Sequence, residues 1–337
     1  MRTRKLRVAT NVVVSTLFLY LFLAGCSGLK PTAPTVDISS TPRNPIIPVT
    51  DSTQIGPNSS PEITPLLKIG FDGQKAMDHV IAQVSLGPRP TGSDASNQTA
   101  TYIESQLASD AWQVTTQPFT YKETSAKNII AKSGEGANVV IVGAHYDTRR
   151  RADQDNAIPQ SPVPGANDGA SGVAVLLELA RVLDLESVKS QVWLVFFDAE
   201  DNGQLDGWDW IVGSRYFVSK LEIVPQYAII VDMVGDKDQN LFLDGNSDRV
   251  LRDHLWDIAG SLGYGEYFVP KPRYSMLDDH TPFMQQGIPA VDIIDFDYAY
   301  WHTSRDTTDK VSPESLERVG RLLETFLESG GDYPPSN

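Results

Sequence analysis

The sequence predicts an α/β fold: a mostly parallel, mixed central sheet with helices on both faces, in a three-layer α/β/α arrangement. Uninterrupted apolar runs (VVIV at 139–142, VWLVFF at 192–197 and AIIV at 228–231) suit strands buried on both faces. These runs alternate with stretches of helical spacing, such as Val173, Leu176, Leu177 and Ala180. Strand–helix alternation of this kind implies parallel strands joined by crossovers that cover both faces of the sheet.

The elements follow in order. A helix is expected over 72–86, with Asp72 as its N-cap and Gly87 as its stop. The run LGPRPTGS at 86–93 is a turn-rich loop, and a second helix covers 94–108. Strands are expected at 112–121, 128–132 and 138–144, then a helix at 170–183 and a strand at 192–197. A short helix at 214–220, strands at 227–234 and 240–243, and helices at 248–262 and 281–286 come next. A strand at 290–294 and a helix at 313–327 close a catalytic domain spanning 66–333.

The first 65 residues speak of location. Arg2, Arg4, Lys5 and Arg7 precede an apolar stretch, 12–23, that ends in LAGC at 23–26. Residues 1–25 therefore read as a signal peptide, too short for a spanning helix. The ending resembles a bacterial lipoprotein cleavage box, which would make Cys26, the only cysteine, the lipidated first mature residue. No disulfide can form within the chain, so the domain must hold by its core. Residues 26–65 carry eight prolines among Ser, Thr and Asn and show no hydrophobic period, so they are expected to form a disordered tether. The expected location is outside the bacterial cytoplasmic membrane or in the periplasm, anchored to the membrane through Cys26.

Net charge is -15, or -19 once the four basic residues of the signal peptide are removed. That balance disfavours nucleic acid and electrostatic docking to anionic lipid. No internal repeat is present, and a monomer is expected.

The chemistry-bearing residues fall where the apolar runs break: His145 after VVIVGA, Asp168 in GANDGASG, Glu200 and Asp201 after VWLVFFDA, Asp232 after AIIV, and His302 beyond AVDII. In parallel sheets ligands bind beyond the carboxyl ends of the strands. Three of the five histidines (His145, His280 and His302) lie in these loops. Carboxylates and imidazoles collected in this way are what a zinc ion needs. Taken singly, Asp168 reads equally well as a helix N-cap, and His145 reads more readily as a core histidine than as a ligand; their joint occurrence favours a metal site. Asp147, two residues beyond His145, reads as the partner that orients that imidazole, or as a turn cap. The aromatic run 296–301 lines an entrance or covers a sheet edge.

Together, PRPTGS at 88–93, GAHYD at 143–147, ANDGASGV at 166–173, FDAED at 197–201, GSRY at 213–216, VDM at 231–233, DDHTPF at 278–283 and WHT at 301–303 resemble the zinc aminopeptidases and the glutaminyl cyclases built on the same fold. The resemblance spans about residues 70 to 330 and implies one or two zinc ions. Asp168, Asp201 and His302 would hold the main ion, and Asp168 would bridge to a second held by His145 and Asp232 in the peptidases. Where the family often has Glu, this chain has Asp201, one methylene shorter. Glu200 would transfer the proton, with Asp232 and Asp279 sharing its hydrogen-bond network.

The substrate implied is a peptide or protein N-terminus. In a cyclase, the α-amine of an N-terminal glutamine attacks its own side-chain amide, and Glu200 moves a proton from that amine to the departing ammonia. In a peptidase, Glu200 activates the water that attacks the first peptide bond. The long link between Asp201 and the GSRY motif, bearing Trp208 and Trp210, is cyclase-like, as is Trp301. These three tryptophans would wall a small, dry glutamine pocket. The favoured expectation is a zinc-dependent glutaminyl-peptide cyclotransferase, with zinc aminopeptidase as the alternative. A binding lipoprotein without turnover is the third reading, and it has no use for Glu200.

Overall fold

The computed structural model describes residues 70–109 and 111–335. The signal peptide, Cys26 and the tether lie outside the described residues.

Helix α1 (Gly73–Ser85) begins at Asp72, whose side chain accepts from the backbone N–H groups of Gln74 and Lys75. Helix α2 (Asp94–Gln106) is capped in the same way by Ser93. Strands β1 (Gln113–Tyr121) and β2 (Thr124–Ser133) form an antiparallel hairpin. Its two-residue turn holds Lys122 and Glu123 at φ 44° and 65°. The expected start of the second strand, Asn128, is therefore four residues late. Positive φ at both turn positions matches strand twist but is usually announced by Asn or Gly, which this turn lacks.

The chain continues through β3 (Val139–His145), α3 (Ala170–Val182), β4 (Gln191–Phe197), α4 (Val212–Ser219), β5 (Tyr227–Asp232), β6 (Leu241–Asp244), α5 (Arg249–Ser261), β7 (Phe268–Tyr274), α6 (Thr281–Gln285), β8 (Ala290–Ile294) and α7 (Pro313–Glu328). Strand β7 was not expected, because Pro270, Lys271, Pro272 and Arg273 do not read as a strand. It pairs in parallel with β6 as a separate two-stranded sheet with register shifts.

The main sheet has the order β1-β2-β4-β3-β5-β8. β4, β3, β5 and β8 run parallel, and β2 joins β4 antiparallel. Alternate strand residues divide between two cores. Val140, Val142, Leu194, Phe196, Ile229 and Ile293 pack with α1, α3 and α7. On the opposite face, Ile141, Val195, Phe197 and Ile230 pack with Phe217 of α4 and Phe283 of α6. The uninterrupted apolar runs are thus explained by burial on both faces. No helix among the described residues is long and apolar enough to cross a membrane.

This topology gathers the chemistry. His145 is the last residue of β3 and Asp232 the last of β5, while Glu200 and Asp201 come just beyond the end of β4 at Phe197, after Asp198 and Ala199. Parallel strands bring all of these ends to one edge.

Candidate metal centre and active site

Asp168 is the hinge of the site. Its Oδ1 lies 3.3 Å from Nε2 of His145, and its Oδ2 lies 3.7 Å from Nε2 of His302. Nε2 of His145 is also 3.0 Å from Oδ1 of Asp232, and Nε2 of His302 is 2.8 Å from Oδ1 of Asp201. Two buried groups result, His145–Asp168–Asp232 and Asp168–Asp201–His302, with the ligand atoms of each within 4.8 Å of one another. They share Asp168 and present its two oxygens to opposite sides. The shorter Asp201 reaches its partners. Asp168 is not a helix cap: Gly169 holds the N-cap position of α3, with no side-chain hydrogen bond. Gly169 sits at φ 96°, and a Cβ there would meet the Asp147 carbonyl at 2.7 Å; only glycine allows this close approach.

Buried supports fix these side chains. Asp306 accepts from the backbone N–H groups of Asn167 (2.8 Å) and Asp168 (3.1 Å), and from the Tyr298 hydroxyl (2.6 Å). Arg89, from the PRPTGS loop, donates to the carbonyls of Tyr146, Pro164 and Gly165, tying the His145 loop to the Asp168 turn. Asp147 accepts from the backbone N–H groups of Glu200 (3.0 Å) and Asp201 (3.3 Å), and lies 3.7 Å from Nδ1 of His145. It therefore anchors the Glu200–Asp201 turn. Ala199, Met233 and His302 have positive φ of 62°, 48° and 54°. Such conformations cost about 1–3 kcal/mol each and cluster at functional sites.

The electrostatics call for a cation. Burial pushes Asp201 up to about 6, with help from Asp168. Burial also raises Asp232, and it raises Glu200 well above the usual carboxylate value, reinforced by Asp201, Asp278 and Asp279. Burial works against charge on His145, yet the facing Asp232, Asp147 and Asp168 raise it well above the imidazole norm. Oδ2 of Asp168 and Oδ2 of Asp201 are buried without a hydrogen-bond partner. Buried polar atoms of this kind call for a ligand. Carboxylate oxygens and imidazole nitrogens at these separations fit a divalent ion such as zinc.

A cavity of about 190 Å³ opens onto these groups. Asp168, Glu200, Asp201, Asp232, Asp278 and His302 supply its polar lining, and Trp210, Met233, Met276, Leu277, Ile294, Phe296 and Trp301 supply its apolar walls. Glu200 faces the cavity yet belongs to neither ligand group.

Two expected residues are placed elsewhere. Trp208 does not line the cavity. It packs with Phe119, Ala199 and Val212, edge-on to Tyr121 at 5.2 Å, under the Arg150 guanidinium at 4.5 Å. The backbone turns sharply on either side of the two indoles, with φ 51° at Asp206 and 56° at Ile211, and only Trp210 lines the cavity. The Trp210 ring lies on Gly203, where a Cβ would fall 1.9 Å from it. Asp279 is fully buried and near enough to Glu200 for its charge to raise that carboxyl, but it does not line the cavity and neither of its oxygens is hydrogen-bonded; its neighbour Asp278 lines the cavity. The two side chains of this turn point apart, and the sequence gives no cue to which points inward. Phe296 and Trp301, at the two ends of the 296–301 run, line the cavity.

Arg149 also escaped the sequence reading. Nearly inaccessible, it donates to the Asp201 carbonyl at 2.8 Å and stacks over Trp210 at 4.8 Å. Its only signal was a run of three arginines in an acidic chain.

Comparison with known proteins places this geometry among peptide-processing enzymes. The profile of peptidase family M28 matches residues 128–327, more than half of the chain. The chain is 27% identical over 286 residues to the glutaminyl-peptide cyclotransferase-like protein of Mus musculus, covering 71% of each. The crystal structure of Porphyromonas gingivalis glutaminyl cyclase superposes with a TM-score of 0.72 at 31% identity, over 77% of this chain and 98% of that one. A leucine aminopeptidase precursor from Bacteroides thetaiotaomicron gives a TM-score of 0.72 at 28% identity, over the same shares.

Proposed function

We propose that this chain, which belongs to peptidase family M28, acts on peptide N-termini and cyclises N-terminal glutamine to pyroglutamate with release of ammonia. The observation that carries this reading is the cavity: small, walled by Trp210, Trp301 and Phe296, and floored by carboxylates, with Glu200 among them. Its volume of about 190 Å³ suits one extended side chain and its amine, with little room for bulk water.

Asp168, Asp201 and His302 would hold a zinc ion. Bound there, the ion would supply Lewis-acid polarisation of the glutamine side-chain carbonyl. The apolar walls hold the side chain, and the carboxylates favour the amino end over a carboxylate end. The α-nitrogen attacks the amide carbon, a carbon–nitrogen bond closes the five-membered ring, and the bond to the amide nitrogen breaks. Glu200 takes the proton from the attacking nitrogen and delivers it to the departing one, which leaves as ammonia. Asp278, beside Glu200 on the cavity wall, favours the protonated form of that carboxyl. Because the nucleophile is tethered, ring closure carries a proximity advantage.

A second reading, zinc aminopeptidase, is favoured by one observation: the group His145–Asp168–Asp232 is complete and shares Asp168 with the first. The purified zinc-loaded protein, incubated with a Gln-initiated peptide and with an unblocked leucyl peptide, decides between the two. Ammonia without free amino acid supports cyclisation; free leucine supports the peptidase. Neither product with zinc bound would overturn both.

Export and lipid attachment at Cys26 belong to the same proposal. Incorporation of labelled fatty acid, abolished by Cys26→Ser, is the expected result; unchanged labelling in that variant would overturn it.

A further inference from the structure

The imidazole of His302 is held between two indoles. Trp301 stacks on it at 3.7 Å and 24°, and Trp210 lies on it nearly parallel, at 5.8 Å and 12°. The ring faces are thus covered, and only its two nitrogens remain to make directed contacts. Nε2 points to Asp201 and Asp168. Nδ1 is buried, has no hydrogen-bond partner, and lies 3.6 Å from Oδ1 of Asp153.

Asp153 is not a loose surface acid. Nε of Arg149 donates to its Oδ1 at 2.6 Å and Nη2 to its Oδ2 at 2.8 Å, a two-point clamp. The same guanidinium donates through Nη1 to the carbonyls of Asp201 (2.8 Å) and Gly203 (3.3 Å), and covers Trp210. The Gln154 N–H donates to the His302 carbonyl at 3.3 Å, and Asp155 accepts from Ser304. The segment 149–155 therefore grips the His302 loop at three adjacent points. Arg149 ties together Asp201, the indole over His302, and the carboxylate facing its second nitrogen.

We propose that Asp153, clamped by Arg149, is the positioning residue that fixes His302 as the tautomer with the proton on Nδ1, leaving the Nε2 lone pair for the cation. The proposal rests on the reading that Asp168, Asp201 and His302 hold a metal. A neutral imidazole has one N–H, and the acceptor it meets decides which nitrogen is free to ligate. Carboxylate partners of this kind orient metal-bound imidazoles and raise their basicity.

The test uses the full-length protein stripped of metal and titrated with zinc chloride against a competing chelator. Asp153→Ala and Asp153→Asn should each bind zinc about 10- to 100-fold more weakly than wild type. Asp206→Ala, which breaks the exposed ion pair with Arg151 (3.0 Å) on the same loop, should bind as wild type does. The second readout, in the zinc-loaded protein, is the His302 Nδ1 proton by NMR. It should be protected from exchange with solvent in wild type and should lose that protection in Asp153→Ala. A general loosening of the fold would lower thermal stability and speed exchange at the His145 ring equally. Should the Asp153 variants fail to fold, Arg149→Lys, which keeps the charge but cannot clamp two oxygens, should shift zinc affinity in the same direction. Zinc affinity within threefold of wild type in both Asp153 variants, or a His302 Nδ1 proton that exchanges equally fast in wild type and Asp153→Ala, would overturn the proposal. Failure of wild type to take up zinc would instead overturn the metal reading on which the proposal rests.

Discussion

Replacing Glu200 by glutamine separates proton transfer from everything else this site does. The side chain is nearly inaccessible, lines the cavity and belongs to neither ligand group. Its position is set from the backbone, by the Asp147 carboxylate on its N–H at 3.0 Å and by the left-handed Ala199 before it. Glutamine has the same shape and can occupy the same place, so the fold and the ligands should be unchanged. What disappears is a group able to accept and return a proton. Positioned general acid–base catalysis contributes about 10²- to 10⁴-fold, or about 3 to 5 kcal/mol at 1.36 kcal/mol per decade. The loss should appear in kcat with KM nearly constant, because the proton moves only in the chemical step. The assay is ammonia release from a Gln-initiated peptide, run on protein of measured zinc content. A variant with zinc retained and kcat within tenfold of wild type would refute the assignment. A variant that loses zinc would show that Glu200 is a ligand and not a proton carrier.

Further outcomes follow from the same geometry. His302→Ala should lose tightly held zinc, whereas His254→Ala, whose ring packs edge-on to Phe326 and belongs to neither ligand group, should keep it; equal retention in both would refute the ligand set. Trp210→Ala should raise KM for a Gln-initiated peptide at least tenfold, while Trp208→Ala should mainly lower thermal stability; the reverse pattern would show that the pocket is walled by the other indole. The metal-free protein should become less stable as pH rises from about 4 to about 7. Burial lifts Asp198, Asp278 and Asp306 to about 7. The folded form therefore keeps protons that the unfolded chain has already released, and deprotonation costs stability. Zinc should counteract the loss by favouring the ionised ligands, and a melting temperature of the metal-free protein that rises over this range would contradict the argument.

The parallel strands were legible because burial on both faces leaves uninterrupted apolar runs, and the candidate ligand groups were legible because their residues sit where those runs stop. Asp168 was placed by the small residues around it, which let the backbone approach His145. What escaped were features decided by side-chain direction. Trp208 and Trp210 are two apart in a loop whose backbone reverses, so alternation says nothing about which faces the cavity. Asp278 and Asp279 are adjacent and chemically identical, and only the turn into α6 separates their roles. Arg149 and Asp153 resemble surface charges in sequence; the burial of Arg149 against Trp210, and the placing of the exposed Asp153 beside His302, depend on a loop with no periodicity. Strand β7 was hidden by its prolines, which its place in a two-stranded sheet tolerates.

The most direct test of the account is a crystal structure of the zinc-loaded protein with anomalous data collected at the zinc edge. The account predicts a peak within bonding distance of Asp168, Asp201 and His302, with the Glu200 carboxylate nearby but uncoordinated. A map without a peak at that position, or with Glu200 as a ligand in place of Asp201, would contradict it.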